Sequence, residues 1–294
     1  MLIAVQTRIC KQASQSVRAL TVWGRHIPEH IETPYYAKSG VLKTKPPGIH
    51  LISRIEEINK LKEACKIAKN VLDFVETQLK IGISTGDIDD LVFNKIIEAN
   101  AYPVPLNFHR FPKSVCTSVN EVLLHGIPCR SKVLNNGDIV NVDITVYHCG
   151  YYGDVSDTFM IGEGDEESKR LVLTVRRAVN AAISICKPGA KMNKIGSTIE
   201  SIVTSEGFRI CKHYCGHGLG RELHLWPNVM HHVNWDESEM EVGMCFTIEP
   251  AVMSGKEGIT LLSDEWSVVS IDGKKSAQYE RAVLITENGC QVLT

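Results

Sequence analysis

The chain runs through the same series of elements twice, two helices and then strands, at an offset of 107 residues. Lys80-Ile81-Gly82 in the first series aligns with Lys187-Pro188-Gly189 in the second, and Ile88 aligns with Ile195. Ile55, Ile58, Leu61, Ala64, Cys65, Ala68, Val71, Leu72 and Val75 follow helical spacing, which predicts a helix over residues 55 to about 79. Ser84 and Asp87 then form a capping box that opens a second helix to about residue 99. Strand patterns follow at 114–119, 121–124, 139–147 and 151–161. The second series has helices ending near residues 186 and 205, and strands at 209–214, 244–248, 267–270 and 278–285. This order predicts an α+β chain of two related α/β halves about a pseudo-twofold axis. The seam between such halves is a natural place for a functional site.

Five polar residues fall on or beside these strands: Asp143, Asp154, His217, Glu249 and Glu280. Val140, Val142, Ile144 and Val146 alternate with Asn141, Asp143 and Thr145, so one strand face is apolar and the other carries Asp143. A turn at 148–150 returns the chain through Asp154. With the turn centred between His148 and Cys149, Asp143 stands directly opposite Asp154, with Cβ atoms about 4.5–5.5 Å apart. Glycines flank His217 and leave room for a metal or a backbone to approach. Glu249 ends an apolar strand before Pro250, and Glu280 begins another. Four carboxylates crowded into a core repel one another and lose hydration. Two divalent cations balance that charge. A rival zinc reading, in which Cys211, His213, Cys215 and His217 alternate on one strand, fails because ligands so spread along a strand cannot close a tetrahedron.

In these contexts, and with Lys113-Ser114-Val115-Cys116, Asn120-Glu121 and His125-Gly126-Ile127-Pro128, the five residues resemble the pita-bread metallopeptidases of family M24. The likeness is to type I methionine aminopeptidases and covers about residues 55 to 294. It implies the pita-bread fold with a curved antiparallel sheet. It also implies Asp143, Asp154 and Glu280 on one metal ion, and Asp154, His217, Glu249 and Glu280 on the other. That donor set suits Mn, Fe, Co or Zn. The cations activate a water as nucleophile, and Glu249 takes its proton. His125 and His224 match two further family histidines that bond the scissile amide and the tetrahedral intermediate.

The resemblance places a methionine pocket at Phe108, Phe111, Cys116, Leu223 and Trp266, and a monovalent-cation site at Asn120, Val122 and Ser276. Three departures from the family stand out. Leu223 replaces a usual aromatic, Phe108 and Phe111 replace frequent tyrosines, and Arg281 replaces a common His. The first two predict a wider or less polar pocket and a relaxed preference for methionine. The expected activity is removal of the N-terminal methionine from newly made proteins whose second residue is small and uncharged, after removal of any formyl group.

Two other readings remain. X-Pro peptidases share the ligand set but usually carry a large N-terminal domain, and only about 54 residues precede the first catalytic helix here. Non-catalytic pita-bread binding modules lose ligands, whereas all five are present. Type II enzymes insert a subdomain between the His and Glu ligands, but only 32 positions separate His217 from Glu249. Type I forms with N-terminal zinc-binding cysteines do not fit either, because Cys10 stands alone before Cys65.

Residues 1–28 carry Arg8, Lys11, Arg18 and Arg25 and no acid before Glu29, the composition of a transit peptide. A mitochondrial location is therefore expected, with the cytoplasm as the alternative. Residues 29–54, with Pro34, Pro46 and Pro47, read as an extended linker to a catalytic domain at 55–294. Ten scattered cysteines point to free thiols in a reducing compartment. A net charge of −2 offers no footprint for nucleic acid, and no apolar run is long enough for a membrane span. A monomer acting on peptides and nascent proteins is expected.

Overall fold

The computed structural model of the protein describes residues 20–43, 48 and 50–294. Helix α1 (Ile55–Gln78) and helix α2 (Thr85–Glu98) open the first half. Ser84 caps α2 through the reciprocal Ser84–Asp87 bonds that the sequence predicts. Strands Ile139–His148 and Tyr151–Met160 form a long antiparallel hairpin, flanked by Tyr102–Pro103 and Cys116–Val119. The apolar face of α1, with Leu61, Ala68, Val71 and Val75, buries against Val140, Val142, Ile144 and Val155 of this sheet. Gly153 lets the helix come close: a Cβ there would lie 2.4 Å from the Ala64 carbonyl.

The second half repeats the plan with helix α3 (Glu166–Ser184) and helix α4 (Asn193–Ser205). Its antiparallel sheet has five strands in the order Leu225–Val229, Gly216–Gly218, Cys245–Ile248, Arg281–Thr286 and Gly289–Val292. Val175, Val179, Ile195 and Ile199 bury against Phe246, Ile248 and Val283. The halves meet where Glu280 pairs with Ser156 in an isolated bridge. Ala282 and Leu284 of the second sheet also extend into the first core.

Two strand expectations change. The segment expected at 209–214 is a strand only over Arg209–Ile210. Its partner, Ala251–Met253, starts after Pro250, and the last bond between them runs from the Cys211 amide to the Ala251 carbonyl at 2.9 Å. The zinc-like alternation through Cys211 and His217 therefore does not lie on one strand. The segment expected at 278–285 divides into Ser276–Gln278 and Arg281–Thr286, with Glu280 at the crossing between sheets. Every described cysteine is a free thiol. Among the described residues, no helix is long and apolar enough to cross a membrane.

Of the segment expected to be a transit peptide, residues 1–19 lie outside the described residues. Leu20–Val22 and Arg25–Ile27 pair as a short hairpin. Val22 and Ile27 bury against Phe93, Tyr102 and Leu106, and Arg25 reaches the fully buried Asp89 at 2.5 Å. The described residues of the following lead-in form no helix, yet Ile31, Tyr36, Ala37 and Ile52 are all buried.

Candidate active site

The hairpin supplies Asp143 and Asp154, in a register different from the expected one. Cys149 and Gly150 both adopt positive φ, +49° and +82°. That is the requirement of a type I′ two-residue turn, which puts His148 opposite Tyr151. Asp143 therefore faces Ser156, and Asp154 faces Thr145. A shift of two residues leaves both carboxylates on the same face, as diagonal neighbours. The Thr145 hydroxyl donates to Asp154 Oδ1 at 2.8 Å.

The other three donors come from the second half. His217 sits on the central residue of Gly216–Gly218, between two partner strands. A Cβ on Gly216 would lie 2.3 Å from the Thr247 carbonyl oxygen, and one on Gly218 would lie 2.1 Å from that of Trp226. The glycines are thus explained by neighbouring backbones. His217 Nδ1 lies 3.2 Å from the Gly218 carbonyl, so Nδ1–H donates there and Nε2 keeps its lone pair. That nitrogen lies 3.7 Å from Asp154 Oδ2 and 3.5 Å from Glu249 Oε1. Ligand atoms of Asp154, His217 and Glu280 all lie within 4.8 Å of one another. Asp143 and Glu249 line the same cavity, of about 400 Å³.

Electrostatics support a cation in this space. Burial pushes Asp154 up to about 7, against the hydrogen bond from Thr145. Burial and then the neighbouring Asp154 push Asp143 well up. Glu249 and Glu280 are also pushed up, first by burial and then by the surrounding carboxylates. Burial holds His217 down to about 4, which keeps it neutral and able to ligate. Hard oxygens with one neutral imidazole form a donor set suited to divalent metal.

The remaining expected site residues gather around this centre. Phe108, Phe111, Cys116, Leu223 and Trp266 line the cavity, with His125 and His224 at its polar side. Phe111 and Trp266 meet edge to face at 5.0 Å, and Trp266 meets His125 at 6.1 Å. The His224 ring packs on His217 at 4.5 Å. Away from this cavity, Ser276 Oγ donates within reach of two carbonyls, Asn120 at 3.2 Å and Val122 at 3.1 Å.

Comparison with known proteins agrees with this geometry. Residues 59–287 match the model of "Metallopeptidase family M24". The chain belongs to that family. Within M24 it falls among the methionine aminopeptidases. It is 46% identical to the human protein "Methionine aminopeptidase 1D, mitochondrial", over 91% of this chain and 79% of that one. The crystal structure of methionine aminopeptidase from Rickettsia prowazekii superposes with a TM-score of 0.81 at 36% identity, covering 84% of this chain and 100% of that one. The prolidase of Pyrococcus furiosus shares the fold alone, at 24% identity and a TM-score of 0.65 over 83% of this chain and 65% of that one. The pita-bread fold is thus the fold of this chain, and as an M24 metallopeptidase it uses divalent metal.

Several residues of this M24 site escape a reading of the sequence. Thr247 donates to Glu249 Oε1 at 2.7 Å and accepts from the His217 amide at 3.0 Å. Gln278 Nε2 donates to the Glu249 carbonyl at 3.0 Å. His231, buried and held down to about 3 by that burial, accepts the Glu249 amide on Nε2 at 3.1 Å. Thr145, Thr247 and Gln278 each stand two residues from a candidate ligand, on the same strand face or its continuation, which is a usable signal. Nothing local marks His231.

Proposed function

We propose that this protein removes the N-terminal methionine from newly made proteins by metal-assisted hydrolysis, where the second residue is small. One observation supports the reading: the five candidate metal donors and two further histidines line one cavity together with Phe108, Phe111, Leu223 and Trp266. The sulfur of a methionine side chain packs well against ring edges such as those of Phe111 and Trp266.

Asp143, Asp154 and Glu280 would hold one ion, and Asp154, His217, Glu249 and Glu280 the second, whether Mn, Fe, Co or Zn. When bound, the metal supplies Lewis-acid polarisation and acidifies water. Glu249, oriented by Thr247 and Gln278, takes the proton from the attacking water. His125 and His224, both held neutral by burial near physiological pH, offer N–H donors to the developing oxyanion. Phe108, Phe111, Cys116, Leu223 and Trp266 receive the methionine side chain. The oxygens at Asn120, Val122 and Ser276 would hold a monovalent cation that ties the two halves together.

We infer a mitochondrial location and a monomeric state. The basic, acid-free N-terminus supports import. The hairpin beginning at Leu20 packs on the domain, so a cleavage that spares the fold would fall before it.

Purified protein with Mn²⁺ or Co²⁺ should hydrolyse Met-Ala-Ser and leave Ala-Pro peptides intact. Turnover of neither peptide would remove the enzyme reading, and preference for Ala-Pro would replace it with an X-Pro peptidase.

A further inference from the structure

The N-terminal segment and the stretch 222–228 enclose a second cavity of about 540 Å³. It adjoins the catalytic one: Phe108, Leu223, His224 and Asn228 line both. We propose that this second cavity holds the polypeptide beyond the third residue of the substrate. The proposal rests on the aminopeptidase reading above.

The walls suit an extended chain. Tyr35 and Trp226 line the cavity and are 39% and 43% exposed, so both keep accessible surface there. Lys43 and His50 add polar groups between them, with Lys43 Nζ lying 5.0 Å over the Tyr35 ring. Aromatic faces with a few polar groups bind backbone and mixed side chains without demanding one sequence. An enzyme that acts on many different proteins needs that tolerance.

The described residues of the N-terminal wall are anchored to the domain at several points. The Tyr36 hydroxyl donates to the Val104 carbonyl at 2.6 Å, and Asn107 Nδ2 donates to that of Ala37 at 2.9 Å. The Trp226 amide donates to the Gly48 carbonyl at 3.3 Å, and the Ile52 amide to that of Gly243 at 2.8 Å. An anchored wall spends less ordering entropy when a peptide binds. The wall also touches the catalytic centre through rings in edge contact: Tyr36 on Phe108 at 5.3 Å, and Phe108 on His224 at 5.7 Å.

The test compares Met-Ala-Ser with an eight-residue peptide of the same first three residues, in the full chain and in Tyr35→Ala and Trp226→Ala. The wild type should show a higher kcat/KM on the longer peptide. Each variant should lose at least fivefold of kcat/KM on the longer peptide, through KM, and keep its tripeptide turnover. No length effect in the wild type, or equal losses on both peptides in Tyr35→Ala, overturns the proposal. Tyr35→Ala decides if Trp226→Ala fails to fold. A wild type inactive on Met-Ala-Ser itself overturns the aminopeptidase reading and this one together, whereas normal tripeptide turnover with no length effect overturns this one alone.

Discussion

Asp143 and Asp154 lie on adjacent strands but are not partners: Asp143 faces Ser156 across the ladder, and Asp154 faces Thr145. The diagonal places a hydroxyl, not a second carboxylate, directly across from each acid. It separates two like charges while leaving both aimed into one cavity. Asp154 can then be bonded by Thr145 and still offer its other oxygen inward.

Replacing Asp154 with Asn removes a donor common to both proposed ion sites. Affinity for Mn²⁺, measured by calorimetry, should fall by more than about 100-fold, beyond the range for residues that only orient ligands. Turnover should vanish. The metal-free variant should melt no lower than the metal-free wild type, because a buried carboxylate among like charges has been neutralised. A metal-free variant that unfolds at much lower temperature would show that Asp154 holds the fold by other means.

Stability of the metal-free protein should fall as pH rises from 6.5 to 8.5. The folded values of Asp143, Asp154, Glu249 and Glu280 lie above their unfolded values, with Asp154 near 7. Their contribution is therefore full below the ordinary carboxylate value of roughly 4 and fades as pH passes the folded values. His217 and His231 are held down to about 4 and about 3, so they penalise the fold only below the ordinary histidine value of roughly 6.5. Above that pH, the carboxylates alone set the trend among these groups. Melting curves in EDTA would show it, and the gain on adding Mn²⁺ should widen with pH because binding displaces protons. A flat or rising Tm in EDTA would contradict this account.

Thr247→Val tests the support beneath two proposed ligands at once. It removes the bond to Glu249 Oε1 and the acceptor for the His217 amide. Metal affinity should drop about 10–100-fold with the fold retained. An unchanged calorimetric titration would mean that the strand alone holds Glu249 in place.

Arg281 is buried beside Glu280, the last of the proposed ligands. It donates to the carbonyls of Ser156 at 3.2 Å and Glu280 at 2.6 Å, and approaches Asp157 at 3.6 Å. Arg281→Gln leaves those carbonyls under-bonded and Asp157 in an ion pair with Arg176 at 2.8 Å. A loss of about 3 kcal/mol in urea unfolding is expected. A much smaller loss would show that Arg176 and the bridge at Ser156 suffice.

Truncation separates the two parts of the N-terminal segment. Removing residues 1–28 deletes Val22 and Ile27 from their cluster and takes Arg25 from Asp89, leaving Lys113 at 3.5 Å as its ion-pair partner. Stability should fall by about 3 kcal/mol or more relative to a truncation of residues 1–19, or at least about 6 °C in Tm. Equal melting temperatures would show the hairpin to be dispensable.

The five proposed ligands, which the structure brings to one cavity, each sit in a short local pattern of the sequence. Asp143 stands in a strict alternation, Glu249 between an apolar run and Pro250, and His217 between two glycines. The helices were legible from their spacing and from the Ser84–Asp87 cap. The hairpin register was not, because it depends on Cys149 taking a left-handed conformation that glycine usually supplies. Short strands such as Leu225–Val229, which contains Pro227, are held by neighbours and not by local propensity. His231 was invisible for the same reason: only the three-dimensional path of the chain brings it beneath Glu249. The hairpin at Leu20 was hidden by a basic composition that it shares with the residues before it.

Gly216 and Gly218 have no side chain and perform no chemistry, yet the carbonyls of Thr247 and Trp226 occupy the space that any side chain would need. In a library covering every substitution, these two positions should rank with the metal donors as intolerant. A lineage could exchange one metal for another, or widen the proposed methionine pocket, by changing residues that line the cavity. It could not readily move His217 to a neighbouring position, because both are closed to anything larger than a hydrogen atom.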